Sequence, residues 1–242
     1  RLDDEVDIVI SGHAHGFTNA LVENHNGVPM LVTQAFSAST AYGDIDVALD
    51  LKSRDIVEKS AVIVTTWGDE GPGLTPDPEV AELVAAAAER VAPLVNRVIG
   101  TAAGDITRAE SAAGESALGN LIADAQRAAM ATEIALMNPG GIRADIAAGE
   151  VTWGELFTVQ PFSNDLVRMT LTGAQLVALL DQQWLGQPFA RVMKTSGLTY
   201  AWHENGAGFA DNRVDPASIL VNGVALNPAA NYSLTVNSFM AS

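Results

Sequence analysis

A single helix-forming segment divides this chain into two regions of unlike pattern, and that division constrains the fold more than any other feature. Asp77-Pro78-Glu79 is a helix start signal: a capping Asp, Pro in the first turn, then an acid. Val80, Leu83, Val84, Ala87, Val91, Leu94, Val95 and Val98 then recur at helical spacing. Acids crowd the start while Arg90 and Arg97 come late, which complements the helix dipole. Pro93 is expected to kink or interrupt the helix. The spacing predicts an amphipathic helix over residues 77–99 that bridges two domains.

Before it, residues 1–75 read as strands and loops. Residues 28–33, 43–51 and 61–66 are strand candidates, and residues 44–50 alternate polar with apolar. Residues 68–78 carry Gly, Pro and acids, a linker composition. After the helix, from about Gly100, helices and strands alternate. Residues 116–131 read as a helix with Leu118, Leu121, Ile122 and Ala125 on one face. Residues 133–137 form a short buried strand and 166–171 another. Thr172-Gly173-Ala174-Gln175 is a capping box opening a helix to about Trp184. Residues 219–226 form a hairpin on an Asn-Gly turn. The expected fold class is α/β and α+β in three parts: residues 1–75, the helix 76–99, and a mixed α/β domain 100–242.

Composition narrows the function. Hydrophobic residues are 48% and charged residues 17%, so a core is expected rather than disorder. The net charge of -16 repels nucleic-acid backbones and anionic membranes, so no nucleic-acid partner is expected. An anionic small substrate would need metal ions or well-placed arginines. Without cysteine, any metal site must use His, Asp, Glu or Asn. The longest apolar stretch, residues 80–99, is interrupted by charges and Pro93, so no membrane span is expected.

The strand-like run Val6-Asp7-Ile8-Val9-Ile10 feeds directly into Ser11-Gly12-His13-Ala14-His15-Gly16. Such a strand end is where α/β proteins build sites, so the rest of that sheet is expected upstream. The other end, residues 232–240, stops in or just after a strand. His13 and His15 suit a divalent ion, or local hydrogen bonding only. Two ligands do not hold a metal, so others must come from elsewhere. Asn138-Pro139-Gly140-Gly141-Ile142-Arg143 follows the buried strand. Its glycines permit close backbone approach and Arg143 offers a planar fork for carboxylate or phosphate; an ordinary glycine turn is the alternative. Phe162, in Gln160-Pro161-Phe162-Ser163-Asn164, either stacks on a base or tucks into the core. His25 and His203 read as surface or structural, and Asp44, Asp46 and Asp50 as solvated.

Taken in order, these motifs resemble the 5'-nucleotidase family of metallophosphoesterases, which includes UDP-sugar hydrolases and 2',3'-cyclic nucleotide phosphodiesterases. The likeness rests on residues 7–15 as a closing Gly-His-x-His metal motif, and on Val32-Thr33-Gln34-Ala35 with Tyr42-Gly43. It rests equally on residues 114–125 as the helix opening the C-terminal domain, on Asn138 to Arg143, and on Val159-Gln160-Pro161-Phe162. The resemblance implies that residues 1–75 are the C-terminal edge of a metallophosphoesterase β-sandwich. It implies two divalent metal ions, zinc, manganese or similar, with His13 and His15 each binding one. It implies a small-molecule nucleotide lined by Asn138, Gly140, Gly141 and Arg143, with Arg143 on the phosphate or ribose side. Phe162 would be one face of an aromatic sandwich around the base, and Arg108 a phosphate contact. The bridging helix would be a hinge.

The activity so implied is hydrolysis of nucleoside 5'-monophosphates in a secreted, periplasmic or cell-surface bacterial protein. The alternatives are a non-catalytic nucleotide-binding module, a phosphodiesterase for UDP-sugars or cyclic nucleotides, or a surface protein that kept only the fold. The remaining metal ligands and the catalytic His-Asp pair are expected upstream, so no catalytic residue is assigned here. The second stacking aromatic is expected in a Gly-Gly-Asp-Gly-Phe-like stretch after Ser242. The isolated chain is therefore expected to be inactive. The sequence assigns no oligomeric state.

Overall fold

The computed structural model describes residues 2–67, 75–203 and 213–242. Most of the expected linker, residues 68–74, lies outside the described residues. The chain divides into two compact units, Arg1–Ala85 and Ala86–Ser242.

The first unit is built from five strands: β1 Ile8–Ile10, β2 Phe17–Glu23, β3 Pro29–Ala35, β4 Ala41–Leu49 and β5 Ile56–Thr65. β3 is central, parallel to β1 and antiparallel to β2. β4 and β5 form a separate antiparallel hairpin that packs on β3. Asn19 of β2 ties the two sheets by donating to the Ala61 carbonyl of β5 at 2.9 Å. Leu31, Thr33 and Gln34 of β3 are buried, so the middle strand supplies the core. The Asp44 and Asp46 carboxylates sit on exposed residues of β4.

Helix α1, Pro78–Val95, starts where the sequence places it. Asp77 Oδ1 accepts the N–H groups of Glu79 at 2.9 Å and Val80 at 3.1 Å. Its end differs. Pro93 lies in the last turn, and bonds from Asn96 and Arg97 close the helix, so Val98 and Ile99 instead begin a strand. Pro93 cannot donate and its ring crowds the preceding turn, which stops the helix soon after it. The apolar stripe does not form a core: among the described residues of this helix none is buried.

The second unit continues with β6 Val98–Ala102, α2 Ala117–Met130, β7 Ile134–Met137, β8 Gly149–Thr152, α3 Trp153–Val159, β9 Leu166–Thr172, α4 Gly173–Asp181, β10 Lys194–Ser196, β11 Leu198–Thr199, β12 Leu220–Val221, β13 Val224–Ala225, β14 Asn231–Asn237 and α5 Ser238–Ala241. Its main sheet has the order β10-β7-β14-β9, with β7 and β14 parallel. Ser116 caps α2 by accepting from Gly119 N–H at 3.1 Å. The helix closes on Ala131 in the left-handed region, φ 49°. Asn222 and Gly223, at φ 49° and 79°, make the expected tight turn between β12 and β13. Thr172 and Gln175 form the expected capping box, but α4 ends at Asp181 rather than near Trp184. Trp184 instead packs, fully buried, with Leu176, Leu180, Ile134 and Leu234 in one core cluster. A second cluster joins Leu118, Ile122 and Ala123 of α2 to Met137, Ile142, Ile146, Val151 and Val159. Met137 and Ile142, on either side of residues 138–141, belong to that cluster.

Helix α3 carries its own capping box. Thr152 Oγ accepts from Glu155 N–H, and Glu155 Oε2 accepts from Thr152 N–H at 2.7 Å. The Thr152 backbone bond, then its side-chain bond, hold the Glu155 carboxyl below its usual range. A depressed folded-state pKa gives stability that is present above the unfolded value and lost as pH falls through the folded one. The melting temperature should therefore drop along the acid limb, and Glu155→Gln should flatten part of that drop in thermal scans from pH 7 down to pH ~3.

Candidate nucleotide site

The first candidate residues stand on the loop after β1. Ser11 fastens this loop to β3: its N–H donates to Thr33 O at 2.8 Å and its hydroxyl to Gln34 Oε1 at 3.2 Å. Buried Gln34 in turn donates to Gly16 O at 3.0 Å. Between these anchors, Ala14 N–H donates to Gly12 O at 2.8 Å and closes a three-residue turn centred on His13. His13 has φ 67° and His15 φ 57°, and the backbone bends at His13 and Ala14. Left-handed backbone is uncommon outside glycine, and such strain concentrates at functional sites. Both residues are exposed. Two imidazoles on one anchored, exposed loop fit borderline divalent ions, each as one donor of a larger set. Among the described residues no group of three His, Asp or Glu completes one. His25 pairs with Asp4, and His203 is exposed with its N–H on Arg213 O.

The second group lies wholly within the second unit. β7 ends at buried Met137, and Pro139–Gly141 forms one 3-10 turn with Asn138 at its head. Gly140 is exposed, and a Cβ there would meet nothing closer than Asn138 Nδ2 at 3.9 Å. Gly141 is buried, and a Cβ there would fall 2.5 Å from Met137 Cε. One glycine thus clears the surface and the other lets the turn press onto the core. Arg143 N–H donates to Val159 O at 2.8 Å, which ties the turn to the end of α3. Phe162, three residues beyond, is 43% exposed rather than tucked into the core. The Arg143 guanidinium lies 5.7 Å from its ring centre, a cation–π contact.

Arg108 reaches the same surface through long-range bonds. Ile106 and Ile146 exchange backbone bonds of 2.8 and 3.0 Å. Arg108 N–H donates to Asp145 Oδ1 at 2.7 Å, and its guanidinium reaches Ile142 O at 3.4 Å. Arg108 Nε stays 3.9 Å from the half-exposed Asp145 carboxylate. Asn138, Gly140, Gly141, Arg143, Phe162 and Arg108 therefore belong to one region of one unit.

Three residues in this region escape a reading of the sequence. Asp145 anchors Arg108. Asn237 donates to Asn138 Oδ1 at 2.9 Å. Phe239, 68% exposed, rides on α5, and its neighbour Ser238 bonds Asn164 Oδ1 at 3.2 Å and Asp165 N–H at 3.2 Å. An aromatic in Asn237-Ser238-Phe239 right after an alternating strand was the available signal for the last of these.

Residues 98–242 match the family model described as "5'-nucleotidase, C-terminal domain", and the chain belongs to that family. Over 241 residues it is 36% identical to "Endonuclease YhcR" of Bacillus subtilis (strain 168), covering 100% of this chain and 19% of that protein. It is 30% identical to "Cell wall protein Lmo0130" of Listeria monocytogenes, over 98% of this chain and 31% of that protein. It superposes on the crystal structure of a 5'-nucleotidase precursor from Thermus thermophilus with a TM-score of 0.71 and 30% identity, covering 98% of this chain and 50% of that one. The chain thus spans a fifth to a third of these two curated relatives and half of the solved one. The mixed α/β fold expected from the sequence is that of this family.

Proposed function

We propose that this chain binds a nucleoside monophosphate through its second unit and takes part in metal-dependent hydrolysis of the phosphate ester within a longer protein. One observation carries the reading: Arg143, Arg108 and an exposed Phe162 stand around a turn that Gly140 leaves open, within the family's C-terminal domain. Two guanidiniums supply the local positive charge that a chain of net charge -16 otherwise lacks. Arg143 is assigned to the phosphate or ribose, Arg108 to the phosphate, and Phe162 to one face of the base.

His13 and His15 are assigned as ligands of two divalent ions, which would supply charge neutralisation and an activated water. On this reading residues 1–75 are the edge of the metallophosphoesterase domain, 76–99 the bridging helix and 100–242 the substrate-binding domain. The names of the Listeria and Thermus relatives, a cell wall protein and a precursor, support a location outside the cytoplasm. No described helix is long and apolar enough to cross a membrane.

Isothermal titration of the 242-residue chain with AMP, without metal, tests the binding half. Saturable binding is expected, and its absence would sink the reading. Phosphate release from AMP with added manganese should stay at background for this chain, because two imidazoles do not retain the ions. Turnover here would overturn the division of labour. A second reading is a binding module without chemistry; the lack of a complete ligand set among the described residues favours it for the chain in isolation. A relative named endonuclease makes single-stranded DNA a useful competitor. The net charge predicts that DNA will not displace AMP.

A further inference from the structure

Asn237 ends β14 and caps α5, and the residue is 3% exposed. Its Oδ1 accepts the backbone N–H of Met240 at 2.9 Å. A backbone N–H can only donate, so this bond fixes which end of the amide is oxygen. The Nδ2 end faces Met137 Sδ at 3.6 Å and Asn138 Oδ1 at 2.9 Å. A thioether sulfur can only accept, which imposes the same direction independently. Gln126 Nε2 and Gln160 Nε2 also lie 3.5 and 3.6 Å from that sulfur. Residues from α2, the end of α3 and β14 thus converge as donors behind the glycine turn.

The consequence falls on Asn138. Facing an NH2 group, it must turn its oxygen inward, and its own Nδ2 is left for a ligand. We propose that Asn237 is a positioning residue that sets the polarity of Asn138, so that Asn138 meets the nucleotide as a donor. The ligand atom it takes is an acceptor: a phosphate or ribose oxygen, a carbonyl, or an unprotonated ring nitrogen. Arg108 and Arg143 can also only donate, so these three polar side chains present one sign of hydrogen-bonding group. The same Asn237 caps the helix whose Ser238 bonds Asn164 and Asp165, two and three residues after Phe162. This inference rests on the nucleotide-binding reading above.

Asn237→Asp separates the two duties. Aspartate caps a helix as well as asparagine does, but it places an acceptor where a donor stood. Asn138 must then rotate its amide inward. In side-chain amide NMR of the full chain, the Asn237 NH2 protons of the wild type should exchange more slowly with solvent than those of Asn138. In Asn237→Asp the Asn138 NH2 should become protected, and AMP affinity should fall about ten-fold or more. Asn138→Asp keeps an inward oxygen and turns the outward atom into an acceptor, so it should lose AMP to a similar degree. Unchanged Asn138 exchange with unchanged affinity in Asn237→Asp would overturn the proposal. Should that variant not fold, faster exchange at Asn237 than at Asn138, or full affinity in Asn138→Asp, overturns it instead. If the wild type binds no AMP, the nucleotide-binding reading falls, while the exchange order still decides the polarity.

Discussion

Arg143→Ala is expected to weaken AMP binding by about 10- to 150-fold in titration calorimetry, the size of one lost charge-assisted contact. The effect should be large because the local charge is scarce. The chain carries 13 Lys and Arg against 29 Asp and Glu, so little else nearby compensates a phosphate. Arg143 also packs over Phe162 at 5.7 Å, and truncation removes that contact as well. Arg143→Lys keeps the charge but not the fork, and should recover only part of the affinity. The melting temperature should hardly move, because the side chain is exposed and the backbone bond to Val159 O remains. Equal AMP affinity in wild type and Arg143→Ala would remove this residue from the site.

Gly141→Ala should give the second large effect, this time on both stability and binding. Its Cβ would lie 2.5 Å from Met137 Cε and 3.1 Å from Asn138 Oδ1. The methyl is the free end of a flexible side chain, but Met137 is buried and its sulfur sits against three amide groups, which limits how far it can move. Overpacking of this kind costs about 1–3 kcal/mol. At roughly 2–4 °C per kcal/mol for a chain of this size, calorimetry should record a fall of roughly 2–12 °C. Gly140→Ala is the matched control: nothing crowds a Cβ there, so it should melt like the wild type. Should it nonetheless bind AMP more weakly, the open surface at Gly140 is where the ligand lies.

Local chemistry made several elements legible from sequence. Asp77 before α1, the Thr172–Gln175 box and the Asn222-Gly223 turn each act within a few residues, so each is readable without a fold. The Thr152–Glu155 box was equally local and marks α3, a helix that hydrophobic spacing over only seven residues does not announce. Other features depend on distance along the chain. β6 pairs with β8 about fifty residues later, and β10 borders β7 across more than fifty. No short pattern encodes such partners. The same limit applies at the site. The Asn138–Arg143 turn and Phe162 stand out as motifs, but Arg108 is placed by Asp145, 37 residues on, and Asn138 by Asn237, 99 residues on. The histidines illustrate a third case. Their spacing is visible, but left-handed backbone at both is a property only of coordinates.

Ala131 closes α2 at φ 49°, a conformation that opposes its own methyl group and that glycine adopts without strain. The fold therefore keeps an unclaimed margin at a helix end that β7 separates in sequence from Asn138, the nearest residue assigned to the nucleotide. Thermal robustness and ligand recognition can be tuned here as separate variables, which makes this helix terminus a natural first target for engineering a hardier version of the protein.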